Sequence, residues 1–186
     1  MNAFMDHIAI LVESIDTIIP KIKELQLRCG KVEEFPSEGT RELYVGTNDE
    51  GGRLLFIQPI KEGPYQSALD RRGPGLHHIA IQVTELEQYI ESLSPSGWYL
   101  HPKSLKTLKE SRTVWLARPG VPTLLEVFTS GSFFEPKDYV VSKIELPVGL
   151  RASLFDFLKT ERVSQSNQDR ISLSIRGRQY EPNFFV

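Results

Sequence analysis

Residues 77–83 read HHIAIQV, and residues 6–12 read DHIAILV. The two stretches share His, Ile, Ala, Ile and Val at matching positions. Both have the composition of a β-strand, in which successive side chains point to opposite faces of the sheet. A strand that occurs twice in one chain indicates an internal repeat, and a repeat decides how the rest of the chain is interpreted.

The same series of elements follows each histidine strand. ESIDTIIPKIKELQL and TELEQYIESLSPSG each predict an amphipathic helix, although Pro20 is expected to kink the first helix or delay its start. Three strands follow each helix, and the last two form a hairpin: GKVEEFP, TRELYVGT and RLLFIQP in the first copy, GWYLHP, RTVWLARP and TLLEVFT in the second. The sequence therefore predicts an α+β fold, in which two tandem βαβββ modules (about 5–60 and 76–130) form one curled mixed sheet around a cavity.

The repeat also indicates which face of each strand lines the cavity. His7 and Ala9 share one face of the first strand, and His78 and Ala80 share the equivalent face of the second. The isoleucine face suits packing under the helices, whereas the histidine face, with its small alanines, leaves room for a cavity. By the same alternation His77 falls on the isoleucine face, where we expect a structural role.

Two related modules that share one curled sheet would bring His7 and His78 across from each other. Glu126, in the last strand of the second module, faces the same interior if that strand is oriented as we expect. A buried carboxylate costs several kcal/mol unless it is paired or bound to a metal. Two imidazoles and one carboxylate form a site for one divalent ion with open positions, and Zn, Co, Ni, Mn and Fe all fit these ligands.

These motifs resemble those of the vicinal oxygen chelate superfamily, which includes glyoxalase I, methylmalonyl-CoA epimerase, extradiol dioxygenases and antibiotic-resistance binding proteins. The resemblance covers residues 5 to about 130 and is strongest to methylmalonyl-CoA epimerase. DHIA, GPGLHHIAIQV and LLEV stand where that family has its opening motif, its second histidine strand and its terminal metal-ligand strand.

The resemblance implies that His7, His78 and Glu126 bind the metal and that Glu42, in EGTRELYV, is a catalytic base. The family's fourth ligand falls on Leu55, which cannot bind a metal, and replacement by Gln58 would need a β-bulge. A glycine-rich loop of the family is replaced here by PKSLKTLKESR. Its basic residues could attract an anion, although a solvated loop is the simpler interpretation.

Three functions fit this site. The first is an epimerase-like or glyoxalase-like enzyme that moves a proton next to a carbonyl of a small acyl thioester or 2-oxo compound, with Glu42 and Glu126 as bases on either side of that carbon. The second is a ferrous-iron dioxygenase that uses the same three ligands. The third is a non-catalytic protein that binds a small molecule. We place the first ahead, because inversion of a stereocentre requires two bases.

Composition limits the partners and the location. The 186 residues carry a net charge of −2, which argues against a general nucleic-acid binder. Cys29 is the single cysteine, and together with the absence of a signal peptide or membrane span it predicts a cytoplasmic protein. Residues 1–130 are expected to form the glyoxalase-like domain. Residues 131–186 are expected to form an α/β extension packed on that domain, which adds strands, covers the cavity or contributes to a homodimer.

Overall fold

The computed structural model describes residues 2–93, 96–131, 133–147, 158 and 160–186. The first module follows the predicted order of elements, with one extra two-residue strand in the turn between the last two predicted strands. Its elements are β1 (Ala3–Leu11), α1 (Ile18–Glu24), β2 (Cys29–Phe35), β3 (Thr40–Val45), β4 (Glu50–Gly51) and β5 (Arg53–Pro59). A 3-10 turn, Ile15–Thr17, precedes α1, so that Pro20 lies in the first turn of the α-helix, where a missing N–H is tolerated.

A linker helix and the second module follow. Their elements are α2 (Pro64–Arg72), β6 (Gly75–Val83), α3 (Leu86–Glu91), β7 (Tyr99–Leu100), α4 (Ser104–Ser111), β8 (Thr113–Ala117) and β9 (Leu124–Phe128). Eight strands of the two modules form one mixed sheet in the order β2-β3-β5-β1-β6-β9-β8-β7. The order of the second half mirrors that of the first, and the predicted α+β fold of two βαβββ modules is confirmed.

Pairing in the middle of this sheet relates the two modules by an approximate two-fold axis. β1 runs antiparallel to β6, and Ile8 lies opposite Ile79. β1 also pairs in parallel with β5, exactly as β6 pairs in parallel with β9. Because the two parallel pairs are equivalent, each residue near the axis has a counterpart 71 positions further along the chain.

The two faces of the sheet differ as the repeat predicts. Ile8, Ile10, Ile79 and Ile81 are fully buried in one large cluster that also contains apolar residues of α1 and α3. On the other face, Ala9 belongs to a smaller cluster whose other members are Leu11, Leu55, Ile57, Tyr65 and Ala68. The isoleucine face therefore supplies the main core, and the histidine face lines a cavity.

The last part of the chain packs on the isoleucine face beside α1. Its strands are β10 (Asp138–Tyr139), β11 (Val141–Leu146), β12 (Val163–Gln165), β13 (Ser172–Ile175) and β14 (Arg178–Tyr180), followed by a 3-10 turn, Pro182–Phe185. β10 pairs with β4, while the other four strands form a separate sheet in the order β12-β11-β13-β14. The close approach requires Gly52 (φ +56), since a Cβ there would clash with the carbonyl oxygen of Val141.

Further contacts tie this part of the chain to the first module. Lys21 donates hydrogen bonds to the carbonyl oxygens of Phe184 and Val186 at 3.2 and 3.1 Å. Phe185 is fully buried against Phe56, with 5.5 Å between ring centroids. The apolar residues of the C-terminal part of the chain and those of the isoleucine face thus belong to one core cluster. The division of the chain into two parts at residue 130 stays a prediction.

Three segments differ from the predicted structure, and a fourth lies almost entirely outside the described residues. PKSLKTLKESR, interpreted as a solvated loop, contains α4, and the segment before β6 contains α2. TERVSQSNQD, expected to be a polar loop, contains β12, which pairs in parallel with β11. The short helix expected in RASLFDFLK lies outside the described residues except for Leu158. In the part of the chain that the structure describes, no helix has the length and apolar content needed to cross a membrane.

We expect Phe185→Ala to lower the free energy of unfolding by about 3–5 kcal/mol, because it leaves a cavity against Phe56 in the shared core. The neighbouring Phe184 is 39% exposed, so that Phe184→Ala should cost about 1 kcal/mol or less. Urea denaturation of the two variants measures the difference. Equal losses would show that the C-terminal turn does not contribute to the core as its packing indicates.

Candidate metal centre

Three side chains from the middle of the sheet converge on one point. His7 Nε2 and His78 Nε2 are 3.3 Å apart, and Glu126 Oε2 lies 3.3 Å from His78 Nε2 and 3.7 Å from His7 Nε2. The two histidine side chains are 8% and 2% exposed, and that of Glu126 is 20% exposed. These are the three predicted ligands, and one ligand atom from each lies within 4.8 Å of the others.

Strand pairing alone accounts for this convergence. His7 lies opposite Ala80 on β6, and Ala80 lies beside Glu126 on β9, so that the three residues form one row across the sheet. The next row on the same face of the sheet contains His78, Ala9 and Leu55. Because both central residues are alanines, the imidazoles and the carboxylate can lean over them toward each other.

His7 is oriented by a carboxylate. Asp6 Oδ2 lies 2.7 Å from His7 Nδ1, and Arg53 Nη2 donates to both carboxylate oxygens of Asp6 at 3.1 and 2.8 Å. Burial raises the pKa of Asp6, but His7 and Arg53 outweigh it and hold the pKa below its usual value. An ionised Asp6 accepts a hydrogen bond from Nδ1–H of His7, and this leaves the lone pair of Nε2 for a metal.

A β-bulge places Asp6 beside His7. Met5 pairs with Ile81 and His7 with Ala80, so that Asp6 has no partner on β6. The same irregularity occurs at the equivalent place in β6, where His78 pairs with Ala9 but Leu76 pairs with Ile10, which leaves His77 without a partner on β1.

The second bulge makes the predicted orientation of His77 wrong. Its ring lies 5.1 Å from that of Tyr65 and 6.5 Å from that of Trp115, on the cavity side of the sheet, and its Nδ1 is 2.8 Å from Nδ1 of His78. Burial, followed by the charges of His78, Arg72 and Lys103, lowers the pKa of His77 to about 3. A neutral His77 can accept a hydrogen bond from Nδ1–H of His78, as Asp6 accepts one from Nδ1–H of His7.

Leu55 occupies the position that is symmetry-related to Glu126. It is 4% exposed, and its apolar side chain offers no ligand atom to an ion. Gln58 does not replace it, because the pairing of β5 with β3 contains no bulge and the Gln58 amide oxygen accepts hydrogen bonds from Ile15 N–H (3.0 Å) and Arg41 Nη1 (3.4 Å). Among the described residues, the candidate centre therefore has three protein ligands.

The donor set fits a divalent transition metal. Burial raises the pKa of Glu126, but the hydrogen bond with His78 and the charges of both histidines outweigh it, so that Glu126 stays ionised. Burial is also the largest cause of the lowered pKa of His78, and a neutral imidazole is the form that binds metals. Two imidazoles and a carboxylate, each with an orienting partner or a nearby counter-charge, are chemically suited to the ion that the sequence predicts.

A cavity of about 660 Å³ opens above these ligands, and Glu42 lines it from β3. Thr40 Oγ1 donates a hydrogen bond to Glu42 Oε1 at 2.8 Å. Burial raises the pKa of Glu42, the Thr40 bond opposes this, and the net pKa lies above its usual value. The structure thus brings both glutamates that the sequence singled out into one cavity with the two histidines.

Several residues of the site were not identified from the sequence. Tyr44 and Trp115 occupy symmetry-related positions, and their rings lie 5.6 Å from His7 and 4.9 Å from His78, respectively. Tyr65 also lines the cavity, and so does Lys103, which the sequence indicated only as one of the basic residues of PKSLKTLKESR. Tyr44 and Trp115 each lie eleven residues before Leu55 and Glu126, so that alignment of the two repeats could have revealed them as a pair.

Comparison with known proteins gives a consistent result. A family model described as "Glyoxalase/Bleomycin resistance protein/Dioxygenase superfamily" matches residues 6–115. No curated protein matches the chain.

The fold is shared with several solved structures. A hypothetical protein from Bacillus halodurans C-125 is 24% identical, with a TM-score of 0.59 over 73% of this chain and 99% of its own. A methylmalonyl-CoA epimerase in complex with methylmalonyl-CoA and NH4+ is 21% identical (TM-score 0.55, 73% of this chain, 100% of its own). A variant of the Streptomyces coelicolor methylmalonyl-CoA epimerase in complex with 2-nitronate-propionyl-CoA is 20% identical (TM-score 0.54, 71% and 100%).

We expect the purified protein to contain about one divalent transition metal per chain and His78→Ala to lose most of it, because a ligand at the centre of the cluster is removed. His101→Ala serves as the control, since His101 is exposed and outside the cluster. Elemental analysis after gel filtration gives both stoichiometries, with circular dichroism as a check on folding. Equal metal content in wild type and His78→Ala would exclude the assignment.

Asp6→Asn should weaken metal binding by about ten- to a hundredfold, because an amide holds the Nδ1 proton of His7 less firmly than a carboxylate does. Competition with a chromophoric chelator measures the dissociation constant directly. Asp49→Asn, an exposed change in a turn, should leave it unaltered. An unchanged dissociation constant in Asp6→Asn would mean that this contact does not orient the ligand.

Proposed function

The chain belongs to the glyoxalase/bleomycin resistance protein/dioxygenase superfamily, and on this basis we propose that it is a metal-dependent enzyme that promotes proton transfer at the carbon next to a carbonyl. Epimerases and glyoxalases of the isomerase or lyase type carry out this chemistry. The observation that carries the proposal is the presence of Glu42 and Glu126 in one cavity with His7 and His78.

The proposed substrate is a small acyl thioester or a 2-oxo compound. The structural neighbours in complex with methylmalonyl-CoA and 2-nitronate-propionyl-CoA favour the thioester. A divalent ion held by His7, His78 and Glu126 would supply charge stabilisation to the carbonyl oxygen of that substrate.

Glu42 is the proposed initial base. Its raised pKa makes its carboxylate a stronger base than an exposed glutamate, and the Thr40 hydroxyl fixes the orientation of Oε1. Glu126 is the weaker base of the two, because a carboxylate that shares its charge with a metal and with His78 holds a proton less well. Glu126 is therefore assigned the delivery of a proton to the other face of the carbon, which would invert the stereocentre. Glu126 would take this proton from solvent beforehand, and Glu42 would release the abstracted proton to solvent afterwards.

Apolar residues shield the proposed reaction from water. Leu55 and Ile57 line the cavity between Glu42 and the ligands, and both are nearly fully buried. In such surroundings the interaction of a charged base with the acidic C–H is weakened little by solvent. The rings of Tyr44 and Tyr65 complete this side of the cavity, and burial raises the pKa of both phenols, so that they stay neutral and can only offer hydrogen bonds.

A ferrous-iron dioxygenase is the second candidate, and Leu55 is the observation that favours it. Two histidines and one carboxylate with no fourth protein ligand form the arrangement of non-haem iron oxygenases. Oxygen consumption that depends on added ferrous iron would support this reading over proton transfer. Homodimer formation and a cytoplasmic location stay predictions from the sequence.

We expect Glu42→Gln to lower the rate of deuterium uptake next to the carbonyl by about a hundredfold to ten-thousandfold, because the amide cannot accept the proton. The assay follows exchange in heavy water by mass spectrometry across a panel of acyl thioesters and 2-oxo acids. Glu33→Gln is the matched control, since Glu33 pairs with Glu42 across the β2–β3 ladder but is exposed.

The outcomes of this assay separate the candidate functions. Uptake that persists undiminished in Glu42→Gln would exclude Glu42 as the base. Absence of uptake with every member of the panel would contradict the proposed function and favour the dioxygenase or a binding protein.

A further inference from the structure

A second pocket of about 490 Å³ adjoins the metal cavity, and we call it the polar pocket. One wall is a further row of side chains across the sheet, in which Gln82 of β6 lies between Phe4 of β1 and Phe128 of β9. The polar pocket and the metal cavity share four lining residues at the candidate centre, which are His7, Tyr44, Thr113 and Glu126. A substrate that reaches the candidate centre can therefore extend a group into the polar pocket.

The opposite wall of the polar pocket comes from a part of the chain beyond residue 115, where the family match ends. Ser130, Phe134 and Pro136 contribute to this wall. The ring of the neighbouring Phe133 lies 5.3 Å from that of Phe4, and the pairing of β10 with β4 holds the segment that follows. The polar pocket is thus built in part from residues that the shared domain does not contain.

Gln82 distinguishes the polar pocket from the equivalent place in the first module. The strands DHIAILV and HHIAIQV differ at two positions, and at the second of these Leu11 corresponds to Gln82. Leu11 belongs to the small apolar cluster, whereas Gln82 is 7% exposed and donates from Nε2 to Ser130 Oγ at 2.6 Å. A side-chain amide has two N–H donors and an acceptor oxygen, so that Gln82 can bind a polar ligand while it holds Ser130.

The charges that line the polar pocket favour a neutral group. Asp6 is paired with Arg53, and Glu50 Oε2 accepts hydrogen bonds from the N–H and the hydroxyl of Thr47 at 2.7 and 2.9 Å. A carboxylate in the pocket would face Glu50 and Glu126, and an ammonium group would face Arg53 and the divalent ion that the ligands fit. An alkyl group is neutral, but it displaces water from the amide and carboxylate groups without replacing their hydrogen bonds. A hydroxyl group avoids both costs.

We propose that the polar pocket binds a hydroxyl-bearing substituent of the carbon at which the proton is transferred, with Gln82 as a specificity-determining residue. The inference rests on the proposed function and narrows its substrates. Glu126 lines both spaces, so that a carbon beside it can direct its carbonyl toward the metal cavity and its substituent into the polar pocket. A site that hydrogen-bonds a substrate hydroxyl discriminates strongly against the analogue that lacks it.

Two pairs of short probes, one pair from each carbonyl class, test this inference on the purified protein. The 3-hydroxybutanoyl and butanoyl thioesters of N-acetylcysteamine differ by one hydroxyl group, as do 4-hydroxy-2-oxobutanoate and 2-oxobutanoate. We expect the hydroxylated member of at least one pair to bind about tenfold tighter or more than its alkyl partner. Calorimetry gives the dissociation constants.

Gln82→Met then locates the interaction. Methionine is unbranched like glutamine and fills irregular apolar space, so that it packs beside Phe4 and Phe128 without an amide. We expect the preference for the hydroxylated probe to fall to about threefold or less, because affinity for that probe alone is lost. Gln88→Met is the matched control, since Gln88 is exposed on α3 and lines neither space. Circular dichroism checks the fold of both variants.

Two results would overturn the inference. The first is that the hydroxylated probe binds no tighter than its alkyl partner in both pairs. The second is that Gln82→Met keeps the preference of the wild type, including the case in which both probes lose affinity equally, since Gln82 would then act only through the structure.

Deuterium exchange on the same four compounds reports on the proposed function separately. Exchange without a preference for the hydroxylated probes would remove the inference and retain the function. Selective binding of the hydroxylated probes without exchange on these or any other carbonyl compound of the panel would remove the function and leave a pocket that binds hydroxyl groups.

Discussion

The antiparallel pairing of β1 with β6 is the constraint on which the site depends. Ile8 opposite Ile79 sets the axis, and one step to either side an alanine of one strand lies opposite a histidine of the other. A shift of one residue would turn both histidines into the isoleucine core, because side chains alternate between the faces. The full burial of Ile8, Ile10, Ile79 and Ile81 therefore fixes the register that brings His7 Nε2 within 3.3 Å of His78 Nε2.

The repeat made the strands and the three clustered residues predictable from the sequence, but alternation could not predict Asp6 and His77. Strict alternation places both on the core face, where a charged or unpaired side chain would be costly. The bulges at both residues turn them toward the Nδ1 atoms of the adjacent histidines. The sequence did contain a signal for the bulges, because a polar residue precedes each histidine at a position that alternation assigns to the apolar face. A β-bulge turns such a residue away from that face.

The helices beside the site were missed for a different reason. α4 carries two leucines, Leu105 and Leu108, and Leu105 is 78% exposed. The helix is attached instead by the Ser104 hydroxyl, which donates to the carbonyl oxygen of Trp115 at 2.9 Å and accepts from its N–H at 2.8 Å. A serine that attaches a helix to a strand leaves no hydrophobic pattern. α2 does carry Tyr65, Ala68 and Leu69 at helical spacing, and this pattern was an available signal for the helix.

Divergence of the two modules explains how a symmetric fold holds an asymmetric site. Glu126 corresponds to Leu55, and Thr113 corresponds to Glu42. The two glutamates assigned to the reaction thus come one from each module, but from strands that do not correspond, and one lies among the histidines while the other lies beyond Leu55. If Leu55 were a second carboxylate, each module would offer one histidine and one carboxylate to the ion, and Glu42 would face more negative charge. In the proposed mechanism an apolar residue at this position would keep one side of the ion open and would let Glu42 act as a base that is not bound to it.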